Sequence, residues 1–396
     1  MDKDKDKYVI AGRKRLEGTV RVSGAKNSTL PILAACVLSE GTCTLEEIPR
    51  IEDVRVMNEV LEHLGCRVSW EGTTVEINTS ALKLTEASEK LMRQMRASNL
   101  VLGPLLARFG RAKISAPGGC NIGDRPMDQH IKGLRLMGVD ILEKGGFIDA
   151  QVKKLRGADI HLDIPSVGAT ENLMMAAVLA EGTTVIRNAA REPEIVDLQN
   201  FLNAMGAKVK GAGLDVILIT GVKKLGEASH TVIPDRIEAG TYMVAAAITQ
   251  GDVEIGNIIP EHLEPVTAKL REAGAQITIG TDWIRVEAKG RLKAVDLRTL
   301  PYPGFPTDLQ PQMMALLATS DGTSVISESI FDRRYQHVDE LRRMGVRVKV
   351  EGRVAVIHGV ECLDGAFVEA TDLRAGAALM LAGLAAEDAT IIENIK

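Results

Sequence analysis

One phrase recurs along this chain and limits its fold more than any other feature. An apolar run, a short polar step, a glycine and a β-like run appear as ILAACVLSEGTCTL, VLGPLLARFGRAKI, MMAAVLAEGTTVI, MVAAAITQGDVEI and MMALLATSDGTSVI. The glycines are Gly41, Gly110, Gly182, Gly251 and Gly322, at intervals of 69, 72, 69 and 71 residues. A sixth copy, LMLAGLAAEDATII, carries Asp388 at the glycine position, 66 residues further on. This period exceeds the roughly 20–50 residues of solenoid repeats, so each copy must build several elements of its own.

A second glycine follows each of the first five, at Gly65, Gly138, Gly206, Gly274 and Gly345. Each ends an amphipathic segment; Leu198, Phe201, Leu202 and Met205 have the i, i+3, i+4, i+7 spacing of one helical face. Glycine there predicts a helix C-cap, where a left-handed residue stops the helix at little steric cost. Alternating strands around a turn come next, as in QITIGTDWIRVEA. Each unit therefore reads strand, buried helix, strand, second helix, strand pair. The first helices are apolar nearly all round and demand cover on every side. The expectation is an α/β protein of six βαβαββ repeats, three per domain, with helices inside and strands outside. The sixth repeat stops at TIIENIK, so it reads as truncated by about twenty residues or more against its sisters.

Composition narrows the function. With 396 residues, two domains are expected. A net charge of −5 leaves no basic footprint for nucleic acid, and 3% aromatics leave no stacking platform for single strands. The start, MDKDKDKYVIAG, is charged where a signal peptide is apolar, and no apolar run is long enough to span a membrane. Five cysteines spread over the chain do not form a disulfide framework. A cytoplasmic protein is expected.

Repeat two breaks the pattern. Its two glycines stand 28 residues apart against 24 in repeat one, and the excess falls in PGGCNIGDRP. Insertions into a regular scaffold cost little and commonly carry function. Gly118 and Gly119 give Cys120 freedom, and Arg125 favours a thiolate or an anion beside it. Cys36, Cys43, Cys66 and Cys362 read instead as small buried or incidental residues, and no metal-ligand spacing is present.

The starts of the buried helices carry charge: Lys26 and Asn27, Arg96, Ser166, Asp235 and Arg236, Asp308, then Asp372 and Arg374. Related by repeat symmetry, these N-termini should converge within each domain, where free N–H groups and the helix dipole seat phosphate or carboxylate. Ser28, Ser98, Thr170 and Thr307 are accounted for as plain helix caps. Capping does not call for Lys26, Arg96, Arg125 and Arg374, and these favour an anionic substrate.

GAKNSTLP, PGGCNIGDRP, PSVGATEN, AAREPEIVDL, FPTDLQPQ and ATDLRA together resemble the UDP-N-acetylglucosamine 1-carboxyvinyltransferases, the MurA family of enolpyruvyl transferases. The resemblance runs in order along nearly the whole chain. It implies a two-domain inside-out α/β barrel of the EPSP synthase-like kind, with residues 22–229 as one domain and 1–21 plus 230–396 as the other. It further implies transfer of enolpyruvate from phosphoenolpyruvate to the sugar 3′-hydroxyl of UDP-N-acetylglucosamine, through a tetrahedral ketal, without a cofactor. By the same resemblance, Cys120 is a general acid that also forms a covalent adduct with phosphoenolpyruvate. Asp308 binds the 3′-hydroxyl and takes its proton, Asp372 helps with the proton lost on elimination, and Lys26, Arg125 and Arg374 neutralise the anionic groups. Sugar-nucleotide contacts map onto Asn27, Arg96, the run Arg125, Pro126, Met127, Asp128 and Gln129, and the run Ile164, Pro165, Ser166 and Val167. Ile330 matches another such contact, and Arg334 lines the cleft near phosphoenolpyruvate. Gln129 replaces a leucine of many relatives, in a run expected to act through its backbone. The family continues into a HIDRGY-like segment whose arginine contacts phosphoenolpyruvate, and this sequence does not contain it. The substrates are small molecules, with no nucleic acid or membrane partner, and the protein is expected to be a monomer. Two rival readings share the fold: a 3-phosphoshikimate 1-carboxyvinyltransferase, which needs neither the cysteine loop nor a nucleotide pocket, and a non-catalytic nucleotide-sugar-binding remnant.

Overall fold

The computed structural model describes residues 6–115 and 127–395. The chain forms two compact units: one holds the described residues through Val22 and those from Pro234 on, the other those from Ser23 to Ile233. Repeat three shows the ground plan. Strand Asp159–His161 leads to the buried helix Val167–Ala177, strand Thr183–Arg187, helix Pro193–Ala204 and the strands Lys208–Lys210 and Val216–Thr220. Thr183–Arg187 lies parallel to the first strand and antiparallel to the last, with Ile186 opposite both Ile160 and Ile217. Those three isoleucines point inward and are fully buried, while alternate residues face outward, which is the period-two pattern of a half-buried strand.

In the Ser23–Ile233 unit, the described residues form three such sheets around the helices Lys26–Ala35, Leu102–Phe109 and Val167–Ala177. The sheet of repeat two has three strands, and Glu86 bridges in parallel to Lys113 where its sisters have a fourth. In the other unit, three sheets surround the helices Arg236–Ile248, Gln310–Ala318 and Leu373–Ala385. These helices pack on one another. Gly240 permits that: a Cβ there would meet Leu309 Cδ1 at 2.4 Å. Every residue of Gln310–Ala318 is buried, and Met313, Met314, Leu316 and Leu317 each contribute about 1.5–3 kcal/mol by leaving water. The helices Glu52–Leu64 and Glu264–Ala273 end on Gly65 and Gly274 at φ 108° and 106°, the left-handed caps expected from the second glycine.

The domain boundaries differ from the expected 22–229 and 230–396. Strand Ser229–Thr231 runs parallel to Thr42–Glu46, so the chain stays with the first unit through Ile233. Conversely, Glu17–Arg21 runs parallel to Asp252–Gly256 in the other unit, and Val22 continues that ladder by donating its N–H to the Gly256 carbonyl at 3.0 Å. The opening strands of repeats one and four are thus exchanged, which a repeat read in chain order does not foresee. In the sixth sheet, Tyr8–Ile10 lies antiparallel to Thr390–Glu393 and fills a place that a hairpin strand takes elsewhere. Among the described residues, no helix is long and apolar enough to cross a membrane.

Candidate active site

The starts of the three helices in the Pro234 unit carry the most concentrated charge. Asp308 lies in the 3-10 turn Thr307–Leu309 that opens Gln310–Ala318. Its Oδ1 accepts from Arg334 Nη2 and its Oδ2 from Arg374 Nη2, both at 2.9 Å. Arg334 is 1% exposed, and Arg374 and Asp308 are 15% and 27% exposed, so solvent screens this centre poorly. Burial works against the charge of Arg374, yet Asp308, Asp235 and Asp372 outweigh it and hold the guanidinium above its ordinary range. Asp372 caps Leu373–Ala385 by accepting from the Arg374 and Ala375 N–H groups at 2.9 and 3.2 Å. The other oxygen of Asp372 is buried without a hydrogen bond among the described residues.

Polar groups not foreseen from sequence stand behind this centre. Glu328 is buried; its Oε2 accepts from Thr307 Oγ1 at 2.9 Å and its Oε1 from the N–H groups of Ile330 and Phe331. One carboxylate therefore fixes the turn bearing Asp308 and the backbone at Ile330. His337 is fully buried and neither ring nitrogen has a hydrogen-bond partner among the described residues. Burial pushes its imidazole down to about 4, against the pull of Asp372, and the Arg334 charge adds to the shift. Gln310 is equally buried, with both amide atoms unpartnered among the described residues. A spacing signal for His337 existed: with Leu341 and Met344 it shares one helical face, and both are core residues. No comparable pattern marks Glu328.

In the other unit, Lys26 begins its helix and pairs with Asp53, Nζ to Oδ2 at 3.1 Å. Asn27 beside it is half-buried. The runs expected to hold the sugar nucleotide meet through Gln129. Its amide donates to Asp128 and Asp163 at 3.1 and 3.0 Å and accepts from the Asp163 N–H at 2.9 Å, next to Ile164 and Pro165. The Gln129 side chain therefore ties the two runs together. Hydrogen bonds from Lys132 and Gln129 hold the Asp163 carboxyl below its usual range. Ser166 caps Val167–Ala177 by accepting from the Ala169 N–H at 3.3 Å, and Ile164 is exposed.

Cys120, Arg125 and Pro126 lie outside the described residues, as does the side chain of Arg96. Three expected caps act otherwise. Ser28 donates to Asp197, Thr170 Oγ1 donates to the Ser166 carbonyl, and Thr307 donates to Glu328. The caps are Ser166, Asp235 and Asp372, because each precedes its helix in extended backbone with its oxygen aimed at free N–H groups. Cys36, Cys43 and Cys66 are buried and Cys362 is exposed, all as free thiols. Burial pushes Cys36 well up and Cys66 to about 12.

Apolar helices enclosed by three sheets, with a carboxylate held between guanidinium groups at the helix starts, define a two-domain inside-out α/β protein. The family model of EPSP synthase (3-phosphoshikimate 1-carboxyvinyltransferase) matches residues 10–396, and the chain belongs to that family. It is 61% identical over 391 residues to UDP-N-acetylglucosamine 1-carboxyvinyltransferase 1 of Carboxydothermus hydrogenoformans, covering 99% of this chain and 93% of that one. It is 58% identical over 399 residues to the enzyme of the same name from Symbiobacterium thermophilum, covering 99% and 90%. Among solved structures, the enolpyruvyl transferase NikO from Streptomyces tendae superposes with a TM-score of 0.89 at 26% identity, over 98% of this chain and 92% of that one. An EPSP synthase from Acinetobacter baumannii, 21% identical, shares the fold with a TM-score of 0.74 over 98% and 93%.

Proposed function

We infer that this protein is an enzyme that transfers enolpyruvate from phosphoenolpyruvate to the 3′-hydroxyl of UDP-N-acetylglucosamine with release of phosphate, the first committed step of peptidoglycan synthesis. The observation that carries this is the 61% identity to a UDP-N-acetylglucosamine 1-carboxyvinyltransferase over 99% of the chain, which spans every motif quoted above.

The Asp308 centre fits the chemistry. Addition needs a proton on the methylene carbon of the enol, an oxygen attacking the adjacent carbon, and removal of the hydroxyl proton. Asp308 is the base for the hydroxyl. Bound anionic groups of phosphoenolpyruvate compete for Arg334 and Arg374, and a carboxylate that loses those partners binds a proton more readily. The arginines then serve the charge that develops on the tetrahedral ketal. Loss of a methyl proton and departure of phosphate complete the reaction, with Asp372 nearby to receive that proton. Cys120 delivers the first proton, and Lys26 and Arg125 supply further positive charge. Gln129 and Asp163 shape the nucleotide wall, and the backbone at Ile330 meets the sugar. The free thiols of the described cysteines fit a reducing compartment, and the enzyme acts in the cytoplasm.

Phosphate release measured with each acceptor tests the reading. Turnover with UDP-N-acetylglucosamine and none with shikimate 3-phosphate is expected. Turnover with shikimate 3-phosphate alone overturns the choice of acceptor, and binding of the sugar nucleotide without turnover overturns catalysis.

A further inference from the structure

Asp197 has no part in the mechanism above, yet it is among the most heavily bonded carboxylates of the Ser23–Ile233 unit. It lies on the helix Pro193–Ala204 and is 2% exposed. Its Oδ2 accepts from Ser28 Oγ and, at 3.3 Å, from the Ile233 N–H. Its Oδ1 is 2.8 Å from His230 Nε2. His230 is held in turn by its ring contact with Phe201, centroids 5.6 Å apart. The Ile233 carbonyl accepts from the Ala25 N–H at 2.8 Å.

These bonds bracket two residues, Lys26 and Asn27. Ser28 lies two positions after Lys26 and is tied to Asp197 directly; Ala25 lies one position before it and is tied through Ile233. The chain enters this unit at Ser23 and leaves it at Ile233, so the same carboxylate ties the unit's first helix to its exit segment. A plain helix cap would not do this: Ala25, the cap position of Lys26–Ala35, has no side-chain oxygen to fix the first turn. A buried carboxylate also requires its donors, since an unpaired one is costly to hold out of water.

We propose that Asp197 is a positioning residue that sets the aim of Lys26, by anchoring the backbone on both sides of it. This rests on the reading of Lys26 as a phosphoenolpyruvate contact. Both anchors, Ser28 Oγ and the Ile233 N–H, converge on Oδ2; an amide keeps the shape but accepts without the negative charge, so it holds both more weakly.

The test compares Asp197→Asn, Lys26→Ala and the double variant by steady-state kinetics, with reductive 13C-methylation of the lysines as a readout independent of activity. The Lys26 resonance is identified by its loss in Lys26→Ala. Expected results are a tenfold or greater fall in kcat/KM for phosphoenolpyruvate, KM for UDP-N-acetylglucosamine within twofold, a shifted or broadened Lys26 resonance, and no further loss when Asp197→Asn is added to Lys26→Ala. An unchanged Lys26 resonance in folded Asp197→Asn overturns the proposal. So does an equal loss for both substrates accompanied by a lower Tm, which marks a purely structural residue. If Lys26→Ala uses phosphoenolpyruvate normally, the role of Lys26 falls, and the resonance alone decides whether Asp197 positions it. Should Asp197→Asn fail to fold, Ser28→Ala and His230→Phe each remove one bond and are judged by the same resonance.

Discussion

The two units answer the same requirement, positive charge at helix starts, in different ways. Around Asp308 the charges are paired with one another, and Arg334 is 1% exposed. Around Lys26 the pair is looser, with Lys26 and Asp53 at 19% and 34% exposure; of the remaining expected cations, Arg96 opens the 3-10 turn Arg96–Val101 and Arg125 lies outside the described residues. The contrast teaches that one centre is built on a guanidinium almost wholly removed from water, while the other rests on a single partly exposed ion pair. Electrostatic preorganisation is worth most where water is excluded, so the Asp308 half should tolerate change least.

Asp308→Ala is the strongest way to break this contrast. Removing the base is expected to lower kcat by about 10²–10⁴. It also leaves two poorly hydrated guanidinium groups without their partner, costing on the order of 2–3 kcal/mol of stability. Phosphate release and urea unfolding check the two effects, and normal turnover removes Asp308 from the mechanism. Cys120→Ser should abolish covalent labelling by fosfomycin-like epoxides, read by intact mass. Retained labelling points to Cys362, the one exposed cysteine among the described residues, although desolvation and Glu387 push its thiol up.

Glu328→Gln should reduce kcat/KM for UDP-N-acetylglucosamine about tenfold, because an amide cannot serve Thr307 and the two backbone donors equally. An unchanged value would mean that the turn and the Ile330 backbone hold themselves. His337 sharpens the comparison through pH. Its folded value of about 4 lies below the ordinary 6.5, so the unfolded chain takes a proton in that window and the folded chain does not. Its contribution is complete above about pH 6.5 and is lost as pH falls toward 4, by up to about 3 kcal/mol. Unfolding of His337→Gln should therefore depend less on pH between 7 and 5 than that of the parent. The smallest effect is expected on the exposed side: Asp53→Ala should change stability by under about 1 kcal/mol, and less in high salt.

The period of the repeat made the sheets, the buried helices and the glycine caps legible, because each is a local pattern in a short window. Asp308 and Arg374 were legible for a related reason: they sit at the helix starts where the repeat predicts convergence. Asp197, Glu328 and Gln310 were not, since a buried polar residue looks like a surface one until its donors arrive from distant segments. Asp197 draws its partners from positions 28, 230 and 233, and no spacing along the chain announces that. Of the strand exchange, the resemblance placed residues 1–21 with the later unit, whereas the return of Ser229–Thr231 to the first unit was hidden, because repeats one and four have equivalent opening strands.

That exchange imposes an order on synthesis. Glu17–Arg21 leaves the ribosome early, but its neighbour Asp252–Gly256 is more than two hundred residues behind it. At about 5–20 residues per second, the nascent segment waits roughly ten seconds or more with an unsatisfied edge. Thr42–Glu46 waits almost as long for Ser229–Thr231. A fragment beginning at Pro234 would lack the strand that finishes its first sheet, so the later half is born dependent on the oldest stretch of the polypeptide.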